Sequence, residues 1–133
     1  MRGIDTNLLV RWLVDDDEAQ VQCVSELFES ARADAERLFV PSTVTLELEW
    51  VLRSRYRYDQ AQIIAAFTAL LESQEIDFQG EAALERALRL YSRGLAEFAD
   101  CLHASQCAEA GRGPLLSFDQ RAARLPGVQL IVA

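Results

Sequence analysis

The stretch Arg2-Gly3-Ile4-Asp5-Thr6-Asn7-Leu8-Leu9-Val10 reads as a short strand, an acid at its end, two residues suited to capping a helix, and an apolar helix start. A strand over residues 2–5 that runs straight into a helix is half of a βα unit, and the same rhythm recurs along the chain. Leu38–Val40 reads as a second strand stopped by Pro41, with Ser42 or Thr43 placed to cap a helix through about Arg53. Between these, Asp15 to Glu18 begin another helix, where acids suit the positive end of the helix dipole. Helices over 59–72 and 81–93 flank a weak strand near Ile76. A helix over 98–110 ends at Gly111, and strands over 114–118 and 128–132 close the pattern. The expectation is an α/β fold in three layers: a mostly parallel central sheet of about five strands, flanked by helices. With no repeat, linker or low-complexity tract, residues 1–133 read as one domain.

In parallel sheets the ligand crevice lies outside the carboxyl ends of the strands. Asp5 closes the first expected strand and Asp119 follows the fourth, so both point to one rim. Two further acids stand out on helices. On a wheel of 100° per residue, Glu47 falls with Val44 and Val51 at the edge of the apolar stripe, whereas Glu49 falls on the far side and pairs with Arg53. Asp100 shares a face with Ala96, Ala104 and Cys107. Singly, such acids are commonly turn residues, caps or solvated charges. Carboxylates turned toward a core need neutralisation or coordination, because an unpaired buried charge is costly. Four gathered carboxylates repel one another, and hard divalent cations with a preference for oxygen relieve that. The chemistry this suits is metal-assisted hydrolysis of a phosphodiester. The only histidine is His103, and the cysteines Cys23, Cys101 and Cys107 form no C-x-x-C spacing, so zinc is disfavoured.

Composition narrows the setting. All 13 basic residues are arginine and the formal charge is −8, which counts against a protein that coats nucleic acid by bulk attraction. No apolar run reaches the roughly 20 residues that span a bilayer, and no export signal is visible, so no membrane partner is expected. Unpaired cysteines fit a reducing, cytoplasmic setting.

At these residues the chain resembles PIN-domain ribonucleases, and within them the VapC toxins of toxin–antitoxin pairs. The resemblance rests on Gly3-Ile4-Asp5-Thr6-Asn7, on Pro41 with Leu46-Glu47-Leu48-Glu49-Trp50-Val51-Leu52, on Phe98-Ala99-Asp100-Cys101-Leu102-His103-Ala104, and on Ser117-Phe118-Asp119 with Ala123-Arg124-Leu125-Pro126-Gly127-Val128. It implies a Mg²⁺- or Mn²⁺-dependent endoribonuclease with a PIN-like fold. Asp5, Glu47, Asp100 and Asp119 would hold the metal directly or through water. It also implies a homodimer, a transfer or ribosomal RNA substrate, and a cognate antitoxin protein. Asn7 and Ser117 match auxiliary polar positions, and Glu97 a position that is often acidic.

Arg53, Arg55 and Arg57 interleave with Tyr56 and Tyr58, a pattern suited to RNA phosphates and bases. A solvated helix end with tyrosines packed on the sheet edge is the plainer reading. Arg86, Arg89 and Arg93 share one helical face, read first as a surface salt-bridge face and second as an RNA track. Trp12 and Trp50 read as core or dimer-interface residues, and the cysteines as small core residues. Two other functions compete. A phosphatase with Asp5 as nucleophile wants a second acid two residues on, where Asn7 stands. A catalytically silent module would sequester RNA or a protein without needing the acid set.

Overall fold

The computed structural model describes residues 1–133, and every strand pairing in it is parallel. The chain divides into two compact units, Met1–Gln79 and Gly80–Ala133. Five strands are present as expected, but they pair as a three-stranded sheet in the first unit and a two-stranded sheet in the second. Each strand is only two or three residues long. Such short ladders leave helix packing, more than sheet hydrogen bonds, to hold each unit together. Six helices complete the α/β architecture.

The first unit runs β1 (Arg2–Gly3), α1 (Thr6–Leu13), α2 (Glu18–Ala33), β2 (Leu38–Val40), α3 (Ser42–Ser54), α4 (Gln60–Glu72) and β3 (Ile76–Phe78). The strands lie in the order β1-β2-β3, with Leu38 opposite both Arg2 and Ile76. Leu38 and Val40 of β2 are fully buried, as are Leu48 and Leu52 of α3 and Ile63, Phe67 and Leu70 of α4. Apolar residues four apart on the helices thus meet the period-two face of the strands. Trp12 stacks on Phe28 at 5.6 Å between ring centroids, which joins α1 to α2.

Local chemistry sets the helix starts. α4 begins with a capping box in which Asp59 accepts from the Gln62 N–H and Gln62 reaches back to the Asp59 N–H. The first strand is shorter than expected, ending at Gly3, and the cap of α1 is Asp5 rather than Thr6 or Asn7. An aspartate side chain reaches the third helical N–H as readily as a threonine does, so the acid one position earlier takes the role. α2 likewise starts later than expected, at Glu18, because Asp17 caps it. Neither Ser42 nor Thr43 caps α3. Pro41 holds the cap position, and the Ser42 N–H donates to the Gln79 side chain at 2.9 Å.

The second unit runs α5 (Glu81–Ser92), α6 (Phe98–Glu109), β4 (Leu115–Ser117), a 3₁₀ turn (Ala122–Arg124) and β5 (Val128–Leu130). α5 stops at a left-handed Gly94 (φ 70°), a conformation that costs glycine little. Residues 93–97 then carry the chain into α6, which packs along α5. An edge-to-face contact of Tyr91 with Phe98, 5.7 Å between centroids, ties the end of α5 to the start of α6. Ala83, Leu84, Ala87 and Leu88 of α5 and Cys101, Leu102, Ala104 and Ser105 of α6 are buried.

Candidate functional site

In the first unit Asp5 is exposed, with one oxygen, Oδ1, accepting from the Leu8 N–H at 3.1 Å. The preceding Ile4 N–H donates to the Phe39 carbonyl at 2.9 Å, so Asp5 emerges where β1 has just left its ladder with β2. The next residue, Thr6, is buried, and its hydroxyl donates to Oε1 of Glu47 on α3. Asp5 and Glu47 are thereby brought into one neighbourhood through a single intervening residue. From the sequence Thr6 reads only as a helix cap, not as a partner of Glu47. Its signal is a β-branched hydroxyl in the first turn of a helix, directly after a candidate acid.

The helical wheel misplaced the glutamates of α3. Glu47 is exposed, while Glu49 is buried at 4% relative exposure and paired with Arg53 Nε at 2.8 Å. The buried stripe runs through Thr45, Leu48, Glu49 and Leu52, and this places Glu47 on its flank. The Glu49–Arg53 pair itself is the i,i+4 pair the spacing calls for.

Of the arginines named for RNA contact, Arg53 is engaged with Glu49, while Arg55 and Arg57 are exposed without ion pairs. Tyr56 does not pack on a sheet edge. Its hydroxyl donates to Asp16 at 3.0 Å and accepts from Arg11 at 3.2 Å. Asn7 lies exposed on α1, at the wall of a cavity of about 250 Å³ lined also by Leu8, Arg11, Gln20, Cys23 and Val24.

In the second unit Asp100 is half-buried in the first turn of α6. Burial raises its carboxyl above the ordinary aspartate value, and the negative charge of Asp119 raises it further. His103 and Arg121 oppose the shift, whereas Glu97 adds to it. Asp119 sits just past β4, where Oδ1 accepts from the backbone N–H groups of Arg121 (2.8 Å) and Ala122 (3.2 Å). The Ser117 hydroxyl accepts from the Asp119 N–H at 3.0 Å, so Ser117 shapes the loop that presents this acid. Glu97 is exposed, 4.0 Å from Arg121. Arg121 is a residue the sequence reading passed over; its signal is a cation two positions after Asp119, on the same turn. His103 is exposed. Of the cysteines only Cys101 is fully buried, with Cys23 exposed and Cys107 between them. The Cys101 thiol is pushed up to about 11, by burial first and then by Asp100, which leaves it unreactive.

Each unit therefore gathers two of the four acids: Asp5 with Glu47, and Asp100 with Asp119. Within neither unit do three or more His, Cys, Asp or Glu side chains form a ready metal cage. Asp5 and Asp119 each keep a second carboxylate oxygen outside any hydrogen bond. An oxygen-only donor set of this kind suits hard cations such as Mg²⁺ or Mn²⁺ over zinc. No helix is long and apolar enough to cross a membrane.

The family described as the PIN domain matches residues 4–128. A VapC ribonuclease of Aquifex aeolicus (strain VF5) is 27% identical over 125 residues, which are 94% of this chain and 92% of that protein.

Proposed function

Because this chain belongs to the PIN-domain family, we propose that it is a Mg²⁺- or Mn²⁺-dependent endoribonuclease, acting as the toxin of a toxin–antitoxin pair. In this reading residues 1–133 work as one PIN domain, in the cytoplasm and as a homodimer. The substrate is transfer or ribosomal RNA, and a cognate antitoxin protein holds the activity in check. Support comes from the relative named a VapC ribonuclease, aligned over nearly the full length of both chains.

The observation that carries the chemistry is the placing of half-buried Asp100 within electrostatic reach of Asp119 in the second unit. The Asp100 carboxyl is raised by burial and by the charge of Asp119, so negative charge there is poorly compensated. A divalent cation would supply the compensating charge. Asp5, Glu47, Asp100 and Asp119 are the residues proposed to hold it, directly or through water. Held there, a divalent cation would supply Lewis-acid assistance to hydrolysis of the phosphodiester.

The chain's own residues orient this chemistry. Backbone N–H groups fix one oxygen each of Asp5 and Asp119 and leave the other outside any hydrogen bond. Thr6 fixes Glu47, and Ser117 fixes the loop of Asp119. Arg121, close to Glu97 and felt electrostatically by Asp100, limits repulsion of an incoming phosphate. Asn7 supplies an exposed amide on α1, two positions after Asp5, and Arg55 and Arg57 supply unpaired cations for the RNA backbone.

The test is Mn²⁺-dependent cleavage of total RNA by the purified protein, mapped by end sequencing and repeated with chelator. Discrete cuts that vanish with chelator are expected. RNA bound but never cut, at any divalent cation tried, would replace the reading with that of a silent sequestering module.

A further inference from the structure

We infer that Arg86, Arg89 and Arg93 of α5 form a phosphate track that leads single-stranded RNA to the Asp100 end of the second unit. This rests on the ribonuclease reading above and assigns part of its substrate contact. From 86 to 93 the three guanidinium-bearing positions stay within about 60° of one another around the helix and span about 10 Å along it, the axial length of about three stacked nucleotides.

Three observations carry the assignment. First, the ordinary explanation of such a row is a salt-bridge face, and that explanation fails here. None of the three arginines has a carboxylate within ion-pair distance, although Glu85 stands one turn before Arg89. By contrast Arg2, Arg11, Arg32, Arg37 and Arg53 of the first unit are all ion-paired.

Second, charge is unevenly divided. The formal charge of −8 falls wholly within residues 1–79, while residues 80–133 carry six acids against six arginines. A polyanion is repelled least by the second unit, and within it most by the acids that a cation would mask.

Third, the row has a direction. Arg93 stands where α5 ends, and Gly94 then turns the chain toward the first turn of α6, where Asp100 lies. The Tyr91–Phe98 contact holds those two helix ends together. A strand laid along the row from Arg86 to Arg93 runs toward the helix start that carries Asp100. The opposite flank of α5 is apolar and buried against α6, which leaves the exposed Arg89 and Arg93 and the half-buried Arg86, with Glu81 and Glu85 beside them, on the side open to a ligand.

The experiment measures binding of a short, labelled single-stranded RNA of mixed sequence to the full chain. An Asp100→Asn background separates binding from cleavage, and potassium chloride is titrated throughout. Relative to that background, Arg86→Gln/Arg89→Gln/Arg93→Gln should weaken binding on the order of tenfold at low salt. It should also flatten the salt slope by about 2, at roughly 0.7 per phosphate contact on a single strand. Arg86→Lys/Arg89→Lys/Arg93→Lys should keep the slope, since phosphate positioning needs charge more than a guanidinium fork. Arg112→Gln, an exposed and unpaired arginine outside the row, should change neither quantity, and circular dichroism melts should match across the set.

An unchanged slope in the triple glutamine variant would overturn the track, as would lost binding in the lysine variant with its melt intact. Unchanged RNA binding with lost antitoxin binding would likewise overturn it and assign the row to a protein partner. If the unmutated chain neither binds nor cuts RNA, the ribonuclease reading itself has failed, a result distinct from all of these.

Discussion

The hydroxyl of Thr6 donates to the carboxylate of Glu47 across 41 positions of sequence, and Thr6 is bonded directly to Asp5. One buried side chain thus sets the position of an acid on a different helix. Thr6→Val keeps the shape and removes the donor. Cleavage should fall by about 10–100-fold, as for other groups that orient a metal ligand, and stability by about 1 kcal/mol. Thr6→Ser should recover most of the loss. Steady-state cleavage and thermal melts of the two variants check this, and full activity in Thr6→Val would remove Glu47's anchor from the mechanism.

Neutralising the acids separates catalysis from folding. Asp5→Asn and Asp100→Asn should each lower cleavage by at least about 100-fold. Asp100→Asn should melt no lower than the unmutated chain in chelator, because it removes a charge that burial and Asp119 both disfavour. Near-normal cleavage by both purified variants would sink the assignment.

Metal removal should abolish activity without unfolding the chain. Adding Mn²⁺ or Mg²⁺ to chelator-treated protein should restore cleavage and raise the melting temperature, since a ligand that binds only the folded state stabilises it. The rise should be absent in Asp100→Asn. A metal-induced shift of equal size in that variant would place the cation elsewhere.

The acid limb of stability should depend on Glu75. This buried carboxylate accepts from Arg32 and from the Ser73 hydroxyl at 2.7 Å, and those bonds hold it below the ordinary glutamate value. A lowered folded value means that the contribution is complete above the unfolded value of about 4.3 and disappears as pH falls through the folded one. Arg32→Ala should lower the melting temperature at neutral pH, because it removes the charged donor to a buried carboxylate. The gap in melting temperature should close in acid, where Glu75 is protonated in both proteins. A gap independent of pH would mean that Arg32 acts through packing instead.

Much of this was legible in the sequence, for identifiable reasons. Leu38–Val40 stands out because an apolar triplet is cut off by Pro41, and the βα rhythm follows from turn and capping residues that act locally. Strand ends were not legible: β1 stops at Gly3 because pairing with β2 stops there, and pairing is a property of two segments. The inward face of α3 was ambiguous for another reason. Val44, Leu46, Leu48, Val51 and Leu52 surround much of the helix, so two centres for the stripe fit equally well, and the one realised buries Glu49. Trp50, expected in the core or at a dimer interface, is 52% exposed in the single chain and so is no core residue. The candidate acids follow from type, order and spacing, whereas the role of Thr6 depends on α1 meeting α3, a contact between segments far apart in the chain.

The bond between Thr6 and Glu47 also makes α1 a lever. A molecule that presses on this helix, even far from the acids, would drag Asp5 by the backbone and Glu47 by the tether in the same stroke. Two ligands of a proposed cation would slip out of register together. An inhibitor of such an enzyme could then act through the eight residues of α1 without covering the catalytic groups.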